Sequence, residues 1–153
     1  MQRRMMRKRS GFTLIEVLLV AGILALLAAF AVPRIFSQAE DAKRKLAAAG
    51  IGRNGPIGKA LDAYKWAMGK FPDTDEGLAA LYVPKTAARD ERYDGPYMEG
   101  VIEELKDPWG HPFVYKSPGD VNEDSYDLYS VGANGQDDGG KEGSDDIKNW
   151  VER

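Results

Sequence analysis

The sequence predicts an α+β protein: a long hydrophobic N-terminal helix joined to a small globular head with an antiparallel β-sheet. Three observations carry this. A 21-residue apolar run, Phe12 to Val32, follows a cluster of positive charge. Apolar residues then recur at helical spacing at Ile57, Leu61, Tyr64 and Met68. Two short β-forming segments, "PFVYK" and "YDLYSV", lie between turn signals in the C-terminal half. The 153 residues suffice for one domain plus an attached segment.

The first element is the apolar run. As a helix it would extend about 31 Å, close to the hydrocarbon thickness of a bilayer. Arg3, Arg4, Arg7, Lys8 and Arg9 precede it, as the positive-inside rule asks of a cytoplasmic flank. An ordinary membrane anchor is one reading. A cleaved secretory signal fits poorly, because its apolar region would be only about 7–15 residues long and would end at a small-residue site. Neither explains Glu16, since an acid in the hydrocarbon costs roughly 2.5–3.5 kcal/mol and normally has a partner or a task. Cutting after Gly11 would create an amine on Phe12, four residues from Glu16 along the helix and able to meet the Glu16 of a staggered neighbour.

Past the run, Pro33 predicts a kink or melted stretch, and "RIFSQAEDAKRKLAAAG" predicts a continuing, increasingly exposed helix. The cluster "GIGRNGPIG", Gly50 to Gly58, is a helix breaker. Helix is expected to resume after Asn54 as cap. Within "KFPDTDEGLAALYVP", Thr74 is read as the cap of a short helix with Asp75 and Glu76 in its first turn and Leu78, Leu81 and Tyr82 on its apolar face. The two β segments are expected to pair. Trp109 is expected to plug the core, and His111, the sole histidine, to be structural.

Composition limits the chemistry. With no cysteine there is neither disulfide nor thiolate metal site. The net charge of −3 hides an asymmetry: after the basic N-terminus, 16 basic face 24 acidic residues, and from Asp120 onward 10 acidic face 3 basic. Such a tail argues against nucleic acid, whose binding needs cations to displace phosphate counterions. A second His, a nucleophile elbow and a phosphate-cradling loop are all missing, so nothing supports an enzyme. "DVNEDSYD" imitates an EF-hand but has Ser125 where glycine is needed and Val131 where glutamate is needed, and reads as a solvated turn. The strongest site candidate is "SVGANGQDDGGKEGSDDIKNW", which joins glycines to oxygen donors at Asn134, Asp137, Asp138, Glu142, Asp145 and Asp146. Calcium takes 6–8 such oxygens. On composition alone a solvated acidic loop remains the competing reading.

"SGFTLIEVLLVAGILALLAAFAVP" resembles the N-terminal signal of type IV pilins and type II secretion pseudopilins. The resemblance implies cleavage after Gly11 by a prepilin peptidase, N-methylation of Phe12, and a docking role for Glu16 as the helix moves from bilayer to filament core. The order "FPDTDEGLAAL", "DPWGHPFVYKSPG", "YSVGANG" and "DDIKNW" extends it, over nearly the whole chain, to the major pseudopilins of type II secretion systems. That family implies a calcium held by the side chains of Asn134, Asp145 and Asp146 and the carbonyls of Val131 and Gln136. Where the family often has Asp, this chain has Asn134, which keeps an oxygen but loses a charge.

The implied organisation is a leader over 1–11, a transmembrane and filament-core helix over 12–53, and a periplasmic head over 54–153. The implied function is that of a subunit of a periplasmic pseudopilus that helps drive folded proteins across the outer membrane. Its partners would be further copies of itself, minor pseudopilins, the inner-membrane assembly platform and prepilin peptidase, with energy from a cytoplasmic ATPase. It would wait in the inner membrane before assembly. A type IV pilin for adhesion, motility or DNA uptake is the alternative filament reading, and a non-polymerising, membrane-anchored calcium module is the alternative outside that class.

Overall fold

The computed structural model describes residues 11–84, 87–88 and 90–151, without the side chains of 31–33 and 35. The basic residues ahead of Gly11 lie outside the described residues. Helix α1 runs Leu14–Ile51, 38 residues. It stays helical through Pro33, which corrects the expectation of a melted stretch. A proline removes one intrahelical bond, and the Ala- and Leu-rich sequence around it keeps the remaining ladder. No helix among the described residues is long and apolar enough to cross a membrane.

The chain divides into two compact units, one ending at Glu40 and the other beginning at Asp41. In the first unit the large apolar residues of α1 stand exposed, among them Leu14, Ile15, Leu18, Leu19, Leu24 and Phe30.

The second unit opens on the last turns of α1, which bury Ala47 and Ile51. Helix α2, Pro56–Met68, follows a tight turn. Asn54 is not its cap. The helix begins at Pro56 with Gly55 in the cap position and no side-chain cap bond. Proline's fixed φ suits the first helical position, and a side chain at residue 55 would collide with the carbonyls of Ala49 and Gly50, so glycine is required by space. Ile57, Leu61 and Tyr64 face inward as their spacing demands, and Met68 packs partly buried against them.

The segment read as a helix capped by Thr74 is a 3-10 turn, Leu78–Tyr82, starting after Gly77. Thr74 is engaged elsewhere. Its hydroxyl donates to the Ser117 carbonyl at 3.0 Å and accepts the Ser117 N–H at 2.9 Å, joining segments 43 residues apart. Another 3-10 turn is Ile102–Glu104.

Strands β1 (Val114–Lys116), β2 (Asp127–Ser130) and β3 (Ile147–Lys148) form an antiparallel sheet in that order. The expected pair is present in the register Val114↔Tyr129, Tyr115↔Leu128 and Lys116↔Asp127. β3 pairs Tyr129↔Lys148 and Ser130↔Ile147. All four residues of the central β2 are buried. Leu128 joins Leu61, Leu81, Tyr64, Phe71 and Tyr126 in the core, and burying each such aliphatic contributes about 1.5–3 kcal/mol. Trp109 is only half-buried and outside this cluster, contrary to the expectation, with the Lys43 Nζ 5.9 Å from its ring.

Candidate functional site

Two places hold the candidate residues. At the start of α1, Thr13 precedes the first helical residue and Glu16 sits three positions on. The Thr13 N–H and hydroxyl donate to Glu16 Oε2 at 2.9 and 3.0 Å, and the Glu16 N–H donates to Thr13 Oγ1 at 3.2 Å. This is a capping box, in which two orphan donors of a helix start are satisfied reciprocally. The signal was present as Thr-x-x-Glu ahead of an apolar run, whereas the partner expected for Glu16 was the Phe12 amine of a neighbouring subunit. Gly11 and Phe12 lie just before the helix, exposed.

The second place is the loop leaving β2 and returning through β3. Its base is fixed by Asp107, whose side chain is fully buried. Asp107 Oδ1 accepts the N–H groups of Trp109 at 3.0 Å and His111 at 2.8 Å, and Oδ2 accepts the Ser130 hydroxyl at 2.6 Å. Ser130 Oγ in turn accepts the Gly132 N–H at 3.1 Å, and His111 Nδ1 lies 3.1 Å from the Gly132 carbonyl. His111 is structural, as read. Asp107 was missed, although Asp-Pro-Trp-Gly is a turn whose first residue commonly binds the backbone two residues on.

Above this base the backbone organises two carboxylates. The Asn134 N–H donates to Asp145 Oδ2 at 2.9 Å, and the Gly140 N–H to Asp146 Oδ2 at 2.8 Å. Their other oxygens, Asp145 Oδ1 and Asp146 Oδ1, are buried with no hydrogen-bond partner. Gly132, at φ +70°, lies so near Asp145 that a Cβ there would stand 2.7 Å from its Oδ2. Carboxylate oxygens of Asp138, Asp145 and Asp146 all lie within 4.8 Å of one another. Burial first, then the charges of Asp138 and Asp137, push the Asp146 carboxyl above its ordinary range.

Such a group fits a hard divalent cation. Two oxygens bound to one calcium stand at most about 5 Å apart. The donors are all oxygen, which suits calcium and not zinc or copper. Orphaned buried carboxylate oxygens are costly unless a charge compensates them. A bound cation would supply positive charge here and order the loop.

Of the expected ligands, Asp145 and Asp146 come together. Val131 is buried at the end of β2, and Gln136 is exposed. The Asn134 side-chain oxygen accepts the Gln136 N–H at 2.6 Å, closing a turn. Asp137 Oδ1 accepts the Tyr129 hydroxyl at 2.7 Å and the Gly139 N–H at 2.9 Å. The EF-hand imitation is a solvated turn, as read, with Asp120, Glu123 and Asp124 exposed, and it closes around the buried Asp127. Asp127 accepts the Val121 N–H at 2.9 Å and the Asn122 N–H at 3.0 Å.

Known proteins resemble the chain along its length. The family described as "Type II secretion system (T2SS), protein G" matches residues 34–150, and "Prokaryotic N-terminal methylation motif" matches residues 6–32. A type II secretion system core protein G from Vibrio cholerae is 40% identical over 146 residues, covering 95% of this chain and 94% of that protein. The protein of the same name from Pseudomonas aeruginosa is 40% identical over 151 residues, covering 98% and 99%. The crystal structure of the major pseudopilin from the type 2 secretion system of enterohaemorrhagic Escherichia coli matches with a TM-score of 0.55 at 28% identity, covering 77% of this chain and 95% of that one.

Proposed function

The chain belongs to the protein G family of type II secretion systems, the major pseudopilins, and we propose that it works as the repeating, non-catalytic subunit of a periplasmic pseudopilus that helps drive folded proteins across the outer membrane. Prepilin peptidase removes the leader after Gly11 and Phe12 becomes N-methylated. The subunit waits in the inner membrane with its head in the periplasm, then enters a helical homopolymer with minor pseudopilins on the inner-membrane assembly platform.

The observation that carries this reading is the bare apolar surface of the first unit. Phe12, Leu14, Ile15, Leu18 and Leu19 are each more than 60% exposed. A contiguous apolar patch of that kind calls for lipid or protein cover. Lipid provides it before assembly and neighbouring subunits provide it afterwards, with Glu16 guiding the docking. Mass spectrometry of the mature N-terminus, with crosslinking between subunits through cysteines placed along α1, tests it. A methylated Phe12 and a ladder of crosslinked multimers are expected; an intact Met1 or a strictly monomeric protein would overturn it.

In the head, calcium pins the C-terminal loop. Asp145 and Asp146 hold it, with Asn134 and the carbonyls of Val131 and Gln136 around it. The two orphaned carboxylate oxygens support this assignment, as does the all-oxygen character of the loop.

A further inference from the structure

Asp138 belongs to none of the ligand positions given above, yet it completes the three-carboxylate group. Its neighbours are otherwise employed. Asp137 is exposed and accepts from Tyr129 and Gly139. Glu142 is exposed and outside the group. Asp138 is half-buried, and a carboxylate oxygen of it lies within 4.8 Å of those of Asp145 and Asp146. Asn134 carries no charge, and its side-chain oxygen is directed to the Gln136 N–H at 2.6 Å while its N–H holds Asp145.

Resting on the calcium reading of this loop, we propose that Asp138 is the third charged ligand of the cation and that Asn134 serves mainly as a positioning residue. Asp138, Asp145 and Asp146 then present three negative charges to the ion, and the backbone amides of Asn134 and Gly140 orient the latter two carboxylates from outside. Groups in that outer layer fix ligand orientation and are felt in metal affinity. The buried oxygens Asp145 Oδ1 and Asp146 Oδ1 are the independent sign that something positive completes this group. Charge count is what tunes calcium loops, so this chain offsets the neutral Asn134 by drawing a carboxylate from four residues further along.

The test uses the full chain in detergent micelles, with calcium titrated calorimetrically and terbium luminescence, sensitised by the nearby Trp150, as a second probe. Asp138→Asn is expected to weaken calcium at least about tenfold, in line with the dependence on ligand charge. Asp137→Asn, which removes an equal charge one residue away, is expected to change it less than about threefold. Circular dichroism at saturating calcium checks that each variant is folded, and Asp138→Ser is the second variant if Asp138→Asn is not. Equal weakening by Asp137→Asn would reduce Asp138 to a field effect and overturn the proposal. Unchanged affinity in Asp138→Asn, with binding lost in Asp145→Asn/Asp146→Asn, would overturn it and leave the calcium reading standing. No calcium binding by the wild-type chain would overturn both.

Discussion

Glu16 has two candidate tasks that an alanine substitution cannot separate. Its carboxylate caps α1 through Thr13, and its charge is the feature proposed to guide docking. Glutamine retains a carbonyl oxygen able to accept the Thr13 N–H, because capping boxes use Glu or Gln alike. Glu16→Gln is therefore expected to keep the cap and lose the charge, whereas Glu16→Ala loses both, with roughly 0.5–2 kcal/mol of local helix stability. Both variants are expected to insert in membranes and to assemble poorly by intersubunit crosslinking. Amide exchange at the helix start should rise only in the alanine variant. Normal filaments from Glu16→Gln would remove the charge from the docking mechanism. Gly11→Leu is expected to leave the leader attached, and a mature-sized product from it would place the cut elsewhere. The Thr-x-x-Glu pair was legible in the sequence: in a run this hydrophobic the acid is costly, and the donors that meet it lie three residues back at Thr13.

At the scale of elements, the head is held by an aromatic cluster that links α2 to the loops. Tyr64 meets Tyr93 and Tyr97 edge-on at 6.0 and 5.8 Å, and the Tyr93 hydroxyl donates to the carbonyls of Ala80 and Val83. Tyr93→Phe is expected to cost about 1–3 kcal/mol by leaving those carbonyls unpaired, read from the denaturant midpoint. Burial, with help from the charge of Glu76, pushes the Tyr64 hydroxyl up to about 12. An unfolded tyrosine loses its proton near pH 10. The folded head holds that proton where the unfolded chain releases it, so stability is full below about pH 10 and falls as pH rises toward about 12. Tyr64→Phe should flatten part of that fall in a midpoint-against-pH series, and an unchanged slope would deny Tyr64 a share in it. Periodicity made α2 and the β1–β2 pair legible, since Ile57, Leu61, Tyr64 and Leu128 face one core. Caps were less so. Thr74 is a good local cap, but its bonds to Ser117 take precedence, and no local signal reveals a partner 43 residues away. β3 has two residues, too few for any alternation to register.

For the whole molecule, the absence of cysteine means that no covalent staple holds the C-terminal segment. Among its attachments are the buried Asp107 base, the two-residue β3 and, on the reading proposed here, a cation. The composition of the loop was legible as a calcium candidate. The fold was needed to show that Asp138 joins Asp145 and Asp146 and that Asn134 is turned to the backbone. Removing the ion returns adjacent carboxylates to mutual repulsion and frees a glycine-rich segment that gains much entropy on release. A ligand that binds only the folded state stabilises it by about 2.7 kcal/mol at a hundred times its Kd, which for a chain of this size corresponds to roughly 5–10 °C in Tm. Chelation of the full chain in detergent is expected to lower Tm by that order and to open residues 131–146 to protease, with readdition of calcium reversing both. Asp145→Ala/Asp146→Ala should start from the lowered Tm and ignore calcium. Cleavage should begin within the loop before the core gives way, because the Asp107 network and the α2–sheet packing do not depend on the ion. Identical melting and proteolysis with calcium and with chelator, in protein shown by elemental analysis to be metal-free, would return the segment to a solvated acidic loop held by the Asp107 base and β3 without a cation.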